Sequence, residues 1–228
     1  GLGTGTKAQA YGTDKTATVP TVEIENHGTI NVAGDNAIGI FANNNTGAAR
    51  NRVTVKNDHQ LTVGKSGVGI AVVSEAPVTV VHGNEDGGTL TATASGAGSD
   101  IITGVDGRGI FAKNSDVNLT GGDYVIETKD DGVGIFASGK TNINGTLEYK
   151  YSGNNSKAGM GIVYDQKDAA GNNIDMTNTA NIKLNNAAGT TGGMIGIYTL
   201  ATNKTLTNTG TITGTSQAKE FGIVTNGA

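Results

Sequence analysis

Adjacent carboxylates, histidines beside glycine, and glycine-rich segments are the features of this chain that invite a chemical reading. Asp130-Asp131 and the steps His27-Gly28 and His82-Gly83 come nearest to an acid–base set for cleaving a glycosidic bond, which needs two carboxyl groups converging on one linkage. Both acids precede Gly132 in a turn-like stretch, and no Asn-Thr-Asp or Arg-Ile-Lys element accompanies them, so a solvated turn is the expectation. A serine nucleophile would need a Gly-x-Ser-x-Gly-like setting; Ser66, Ser95, Ser99, Ser138 and Ser152 stand instead in Gly-rich turn sequence. The chain has no Cys, which removes thiolate metal sites, disulfides and thiol nucleophiles together. It also lacks a His-x-x-x-His pair and the Gly-Gly-x-Gly-x-Asp repeat of calcium-binding rolls. No catalytic residue, metal ligand or cofactor site is expected, and the chain is read as not being an enzyme.

Two local patterns suit contact better than catalysis. Tyr149 and Tyr151 flank Lys150 in alternation and adjoin a polar segment, Lys150 to Ala158, a combination fit for stacking on sugars or anchoring a protein partner. Asp106 and Arg108 stand two residues apart ahead of a Gly-Ile step and are expected to pair at a strand mouth. The net charge of −4 is scattered, and the 16 basic residues form no stripe, so binding to nucleic acid has no electrostatic basis.

The elements that position these residues are set by a repeat. Gly-Ile recurs at Gly39-Ile40, Gly69-Ile70, Gly109-Ile110, Gly134-Ile135, Gly161-Ile162, Gly196-Ile197 and Gly222-Ile223, with spacings of 30, 40, 25, 27, 35 and 26 residues. A phosphate-binding loop would need a following helix and a Lys-Ser/Thr pair; a segment repeated seven times is architectural instead, with Gly allowing close backbone approach. Two further strand-length elements recur between markers, such as Arg52-Val53-Thr54-Val55 with Gln60-Leu61-Thr62-Val63, and Pro77 to Val81 with Gly88-Thr89-Leu90. Three short strands per repeat, without helical periodicity, predict an all-β fold: a right-handed, single-stranded parallel β-helix with three short strands per coil and seven to eight coils. Residues 21–228 form these coils, and residues 1–20 a partial or degenerate amino-terminal one. Excess length in the longer repeats is expected to leave as loops, chiefly Ala92 to Asp106 and Lys150 to Ala158.

Composition agrees with thin layers in place of a bulky core. Gly, Thr and Asn fill 37, 32 and 24 positions, only 4% of residues are aromatic, and there is no Trp. No apolar run approaches the roughly 18 residues of a membrane helix, and the amino terminus has neither Met nor a signal-peptide pattern. The chain is therefore expected to be a soluble segment cut from a longer rod, and monomeric on its own.

Strict alternation along the Gly-Ile strands predicts that Ile40 and its equivalents share one face with Ile38, Val68, Arg108, Val133, Met160, Ile195 and Phe221. Phe41, Ala71, Phe111, Phe136, Val163, Tyr198 and Val224 would then stand on the opposite face. Two readings of this second apolar column are open: a bend after Ile turns the aromatic inward, or the column is an exposed stripe used for contact.

The segments AIGIFANN, GRGIFAKN, GVGIFASG and MIGIYTLA, with NTGTI at Asn208 to Ile212, resemble the passenger domains of type V autotransporters, specifically the large adhesin class repeating G-[IV]-G-I-[FY]-A and N-x-G-x-I. The similarity spans about Thr21 to Ala228. It implies a secreted, rod-like virulence adhesin at the bacterial cell surface, carried across the outer membrane by a carboxy-terminal barrel outside this chain. The implied partner is a host-cell or bacterial surface receptor, protein or glycan. A structural spacer holding a distal binding head is the alternative, and a β-helical polysaccharide-active enzyme a more distant one.

Overall fold

Short runs of Val, Ile, Thr and Leu bounded by Gly, Asn and Asp favour extended backbone that stops after a few residues. A computed structural model describes residues 2–3, 21–44, 52–74, 87–96, 98–153, 157–168, 170–187, 190, 192–214 and 219–226. Among these residues the structure is all-β, with no helix, and every strand-to-strand pairing is parallel. Pro77 to Val81, His82, the segment 4–20 and parts of the expected loops lie outside the described residues.

The seven Gly-Ile segments are seven neighbouring strands of one eight-stranded sheet, in chain order: Ile38–Asn44, Val68–Ser74, Arg108–Lys113, Val133–Ser138, Gly159–Asp165, Met194–Thr199 and Glu220–Thr225. The short strand Leu2–Gly3 extends the sheet at Ala42 and Asn43. Parallel neighbours need a connection that leaves the sheet and returns beside its start. Here each connection forms the strands of the other layer. Thr21–Asn26, Arg52–Asn57, Gly87–Thr93, Ser115–Thr128 and Asn142–Tyr151 pair in succession, and Asn181–Asn186 and Ile212–Gly214 continue from the last of these. Ile30–Val32, Leu61–Val63 and Ile101–Ile102 join the same ten-stranded sheet, and Met176–Asn178 pairs with Leu206–Asn208. The result is a stack of parallel sheets, a β-solenoid.

Equivalent residues stack on one another. Ile40, Ile70, Ile110, Ile135, Ile162, Ile197 and Ile223 are register partners in sequence. They are buried from Ile40 to Ile197, and only Ile223, on the last strand, is 45% exposed. Leu61, Ile101, Ile126, Tyr149 and Leu184 form a second inward ladder. Each fully buried aliphatic side chain contributes about 1.5–3 kcal/mol, so the core is a line of small increments.

Glycine fits this stack through close approach. A Cβ on Gly69 would lie 2.6 Å from the Gly109 carbonyl oxygen and 2.6 Å from Ile101 Cγ2, and one on Gly134 would lie 2.5 Å from the Gly161 oxygen. Turns are held by asparagines. Asn26, Asn57, Asn178 and Asn208 each donate from Nδ2 to the carbonyl two residues on, at 2.7–2.8 Å. These side chains also stack: Asn26 donates to Asn57 at 2.7 Å and Asn178 to Asn208 at 2.8 Å.

Candidate docking face

The alternation expected along the Gly-Ile strands fails at the glycine, and this failure creates the outer surface of the sheet. Ladder pairing runs Ile38 with Val68, then Ile40 with Ile70, and omits the glycines between them. The same omission recurs at each later pair. Glycine and isoleucine both face inward, since the missing Gly Cβ points at core atoms such as Ile101, Ile126 and Tyr149. The residue before glycine is thereby turned outward, contrary to the shared face expected for it and Ile. Ile38 is 45% exposed, Val68, Arg108, Met160 and Ile195 are half-buried, Val133 is 6% exposed, and Phe221, on the last strand where inward Ile223 is also uncovered, is 52% exposed. The bend precedes the aromatic position instead of following it, so Phe41, Phe111, Phe136 and Tyr198 also stand on the outer face, half-buried, with Ala71 and Val163 of the same column buried at 4% and 3% exposure. Next comes inward Ala42, Val72, Ala112 and Ala137, then an outward third column that includes Val73, Lys113, Ser138 and Asp165.

At the middle of this face Phe111 and Phe136 stack, with centroids 5.7 Å apart and planes inclined by 19°. The Arg108 guanidinium carbon lies 5.4 Å from the Phe136 centroid, on the electron-rich ring face. Arg108 Nε is buried without a hydrogen-bond partner. Arg108 thus rests on an aromatic ring and is not paired with Asp106. Asp106 occupies a left-handed turn position (φ 56°) and accepts a hydrogen bond from Ser66 Oγ at 3.2 Å. With its column facing out, Arg108 interrupts no core.

Tyr149 and Tyr151 are inside the solenoid, both 0% exposed. Tyr149 donates to the Gly132 carbonyl at 3.1 Å, and its oxygen lies 2.6 Å from Thr128 Oγ1. The Tyr151 hydroxyl is within reach of Asp130 Oδ1 (2.9 Å) and the Lys157 carbonyl (2.6 Å). Burial pushes the Tyr149 hydroxyl well above its ordinary pKa; for Tyr151, burial does so first and the Asp130 carboxylate adds to it. Neither ring has a face to offer a sugar. Lys150 points the other way, half-buried, between Glu127 and Asn185 in register.

The remaining polar candidates are engaged as turn chemistry. Asp131 is a left-handed turn residue (φ 58°) that pairs with Lys157 at 2.5 Å. His27 lies 2.7 Å from Asp58 on a neighbouring turn, and hydrogen bonding to this carboxylate raises its pKa. No group of three or more His, Cys, Asp or Glu side chains suited to a metal ion occurs among the described residues.

The outer columns were visible in the sequence; their side was not, because two consecutive inward residues leave no trace in a period-two pattern. The asparagine turn ladder was not read from the sequence, although Asn-x-Gly at Asn26 and Asn208 carried a signal for it; Asn57-Asp58-His59 and Asn178-Thr179-Ala180 do not share that pattern. Comparison with protein-family models, with curated proteins and with solved structures finds no match to this chain.

Proposed function

We propose that this chain is a segment of a bacterial cell-surface adhesin, a rigid rod that makes contact along its side. In its finer form the rod is a right-handed, single-stranded β-helix of three short strands per coil and seven to eight coils. At about 4.8 Å per coil, seven coils extend roughly 30 Å. The reading draws on the resemblance of the Gly-Ile segments to autotransporter passengers.

The observation that carries it is the outward apolar face of the Gly-Ile sheet, where Phe41, Phe111, Phe136, Met160, Ile195 and Tyr198 are half-buried in adjoining columns and Ile38 and Phe221, on the first and last Gly-Ile strands, are exposed. Large exposed apolar surfaces mark contact sites more often than inert ones. A rod needed only for spacing gains nothing from such a face.

The test is binding of the labelled chain to epithelial cells and to bacteria, with soluble sugars as competitors. Saturable binding that sugars leave intact is expected for an apolar contact. No binding at high concentration makes the chain a spacer, and full competition by a sugar moves recognition to a glycan site elsewhere.

A further inference from the structure

We propose that the outer face of the Gly-Ile sheet docks a second copy of this chain, with the two rods antiparallel and a twofold axis lying along the strand that carries Phe136. It rests on the adhesin reading for its biological setting and makes that adhesion homotypic, in place of the monomer expected from sequence.

The two faces are complementary about Val133–Ser138, which lies between Arg108–Lys113 and Gly159–Asp165, with Val68–Ser74 and Met194–Thr199 next on either side. A twofold axis along it keeps each column on itself while exchanging third strand with fifth and second with sixth. In the third column Lys113 and Asp165 occupy the third and fifth strands and flank Ser138 in register. The operation places Lys113 of each copy against Asp165 of the other, twice per dimer. Lys113 has no ion-pair partner among the described residues, whereas Asp165 also meets Lys167 of its own chain at 3.3 Å. Side-chain size follows the same rule in the aromatic column: Phe111 stands opposite Val163 and Tyr198 opposite Ala71, the two small residues being only 3% and 4% exposed, and Phe136 stands opposite itself. Bulk opposite a smaller residue lets two sheet faces interdigitate at about 10 Å separation.

The other twofold packing of the two faces, with its axis along the rod, reverses the columns. It sets Lys113 against Arg108 at the same level, two like charges, and leaves Asp165 facing Met160. Electrostatics therefore selects the antiparallel arrangement.

Sedimentation of the purified chain across a concentration series tests this. A monomer–dimer equilibrium is expected. Lys113→Asp alone and Asp165→Lys alone each weaken it by about tenfold or more, and an equimolar mixture of the two restores it, because the mixed dimer regains both pairs. Circular dichroism identical to wild type shows that each variant is folded. Because the chain has no Cys, a single introduced thiol reports geometry. Ser138→Cys lies at the axis and is joined to its own copy by a bismaleimide of about 10 Å span. Val73→Cys, two strands away, stands roughly 19 Å from its copy and is not. A monomer at all concentrations, single variants that bind as wild type, or a mixture that fails to restore association overturns the proposal. Saturable cell binding by a strictly monomeric chain would retain the adhesin reading and discard the second copy; self-association with no binding to bacteria would do the reverse.

Discussion

Tyr149 carries a hydroxyl into a core lined mainly by Ile, Leu, Val and Ala, as Tyr124, Tyr151 and Tyr164 also do, and the chain supplies partners for it in Thr128 and the Gly132 carbonyl. Tyr149→Phe keeps the ring and takes the hydroxyl partner from buried Thr128, while the Gly132 carbonyl keeps the Met160 N–H at 3.0 Å, so the urea midpoint should fall by the equivalent of about 1–2 kcal/mol. Cell binding by the folded variant should not change, since the ring faces away from solvent. At the surface, His27 offers a pH signature. Its pKa is raised by the hydrogen bond to Asp58, with Glu25 adding to it, and that of Asp58 is lowered by its bonds to His59 and His27. For a raised His the stabilisation is complete below the unfolded value and lost as pH rises through the folded one. For a lowered Asp it is present above the unfolded value and lost as pH falls through the folded one. The pair thus operates fully between the ordinary values of 3.8 and 6.5, and fades somewhat below the former and somewhat above the latter. An NMR titration should place the His27 midpoint above 6.5, and Asp58→Asn should lower it. Alternation of Tyr149 and Tyr151 around Lys150 located a strand correctly. It could not say which side faced the core, because a tyrosine suits either when its hydroxyl finds a partner.

At the scale of the element, the Gly-Ile strand is defined by the two inward residues at its start. All seven glycines look alike in sequence, but their surroundings differ at the end of the stack. A Cβ on Gly134 meets the Gly161 carbonyl at 2.5 Å and Tyr149 Cδ2 at 3.1 Å, whereas one on Gly222 meets nothing within 4 Å. Gly134→Ala should therefore destabilise by about 1–3 kcal/mol or more, while Gly222→Ala stays within about 0.5 kcal/mol. Thermal unfolding of the two variants side by side checks this, and equal losses would remove close stacking as the reason for the glycine column. The repeat and its parallel pairing were legible because Gly-Ile, Gly-Thr and the β-branched runs recur in a fixed order. The outward turn of Ile38, Arg108 and Phe221 was not, since it depends on carbonyl-to-glycine packing between strands far apart in sequence.

For the whole molecule, stacking like on like gives each layer its own surface. Inward it produces isoleucine ladders; on the outer face of the Gly-Ile sheet it lines up Phe, Ile, Met and Tyr with one stacked Phe pair and an arginine at the middle. This face is the basis for reading the chain as a contact-making rod. The most direct measurement is the binding isotherm of labelled wild-type chain on bacteria and epithelial cells, beside that of Phe136→Thr, which keeps strand propensity and removes the central ring. Saturable binding by the wild type, weakened about tenfold or more in Phe136→Thr at unchanged circular dichroism, is the predicted result. Equal binding by the two proteins would contradict the account, because the outer face would then take no part in recognition.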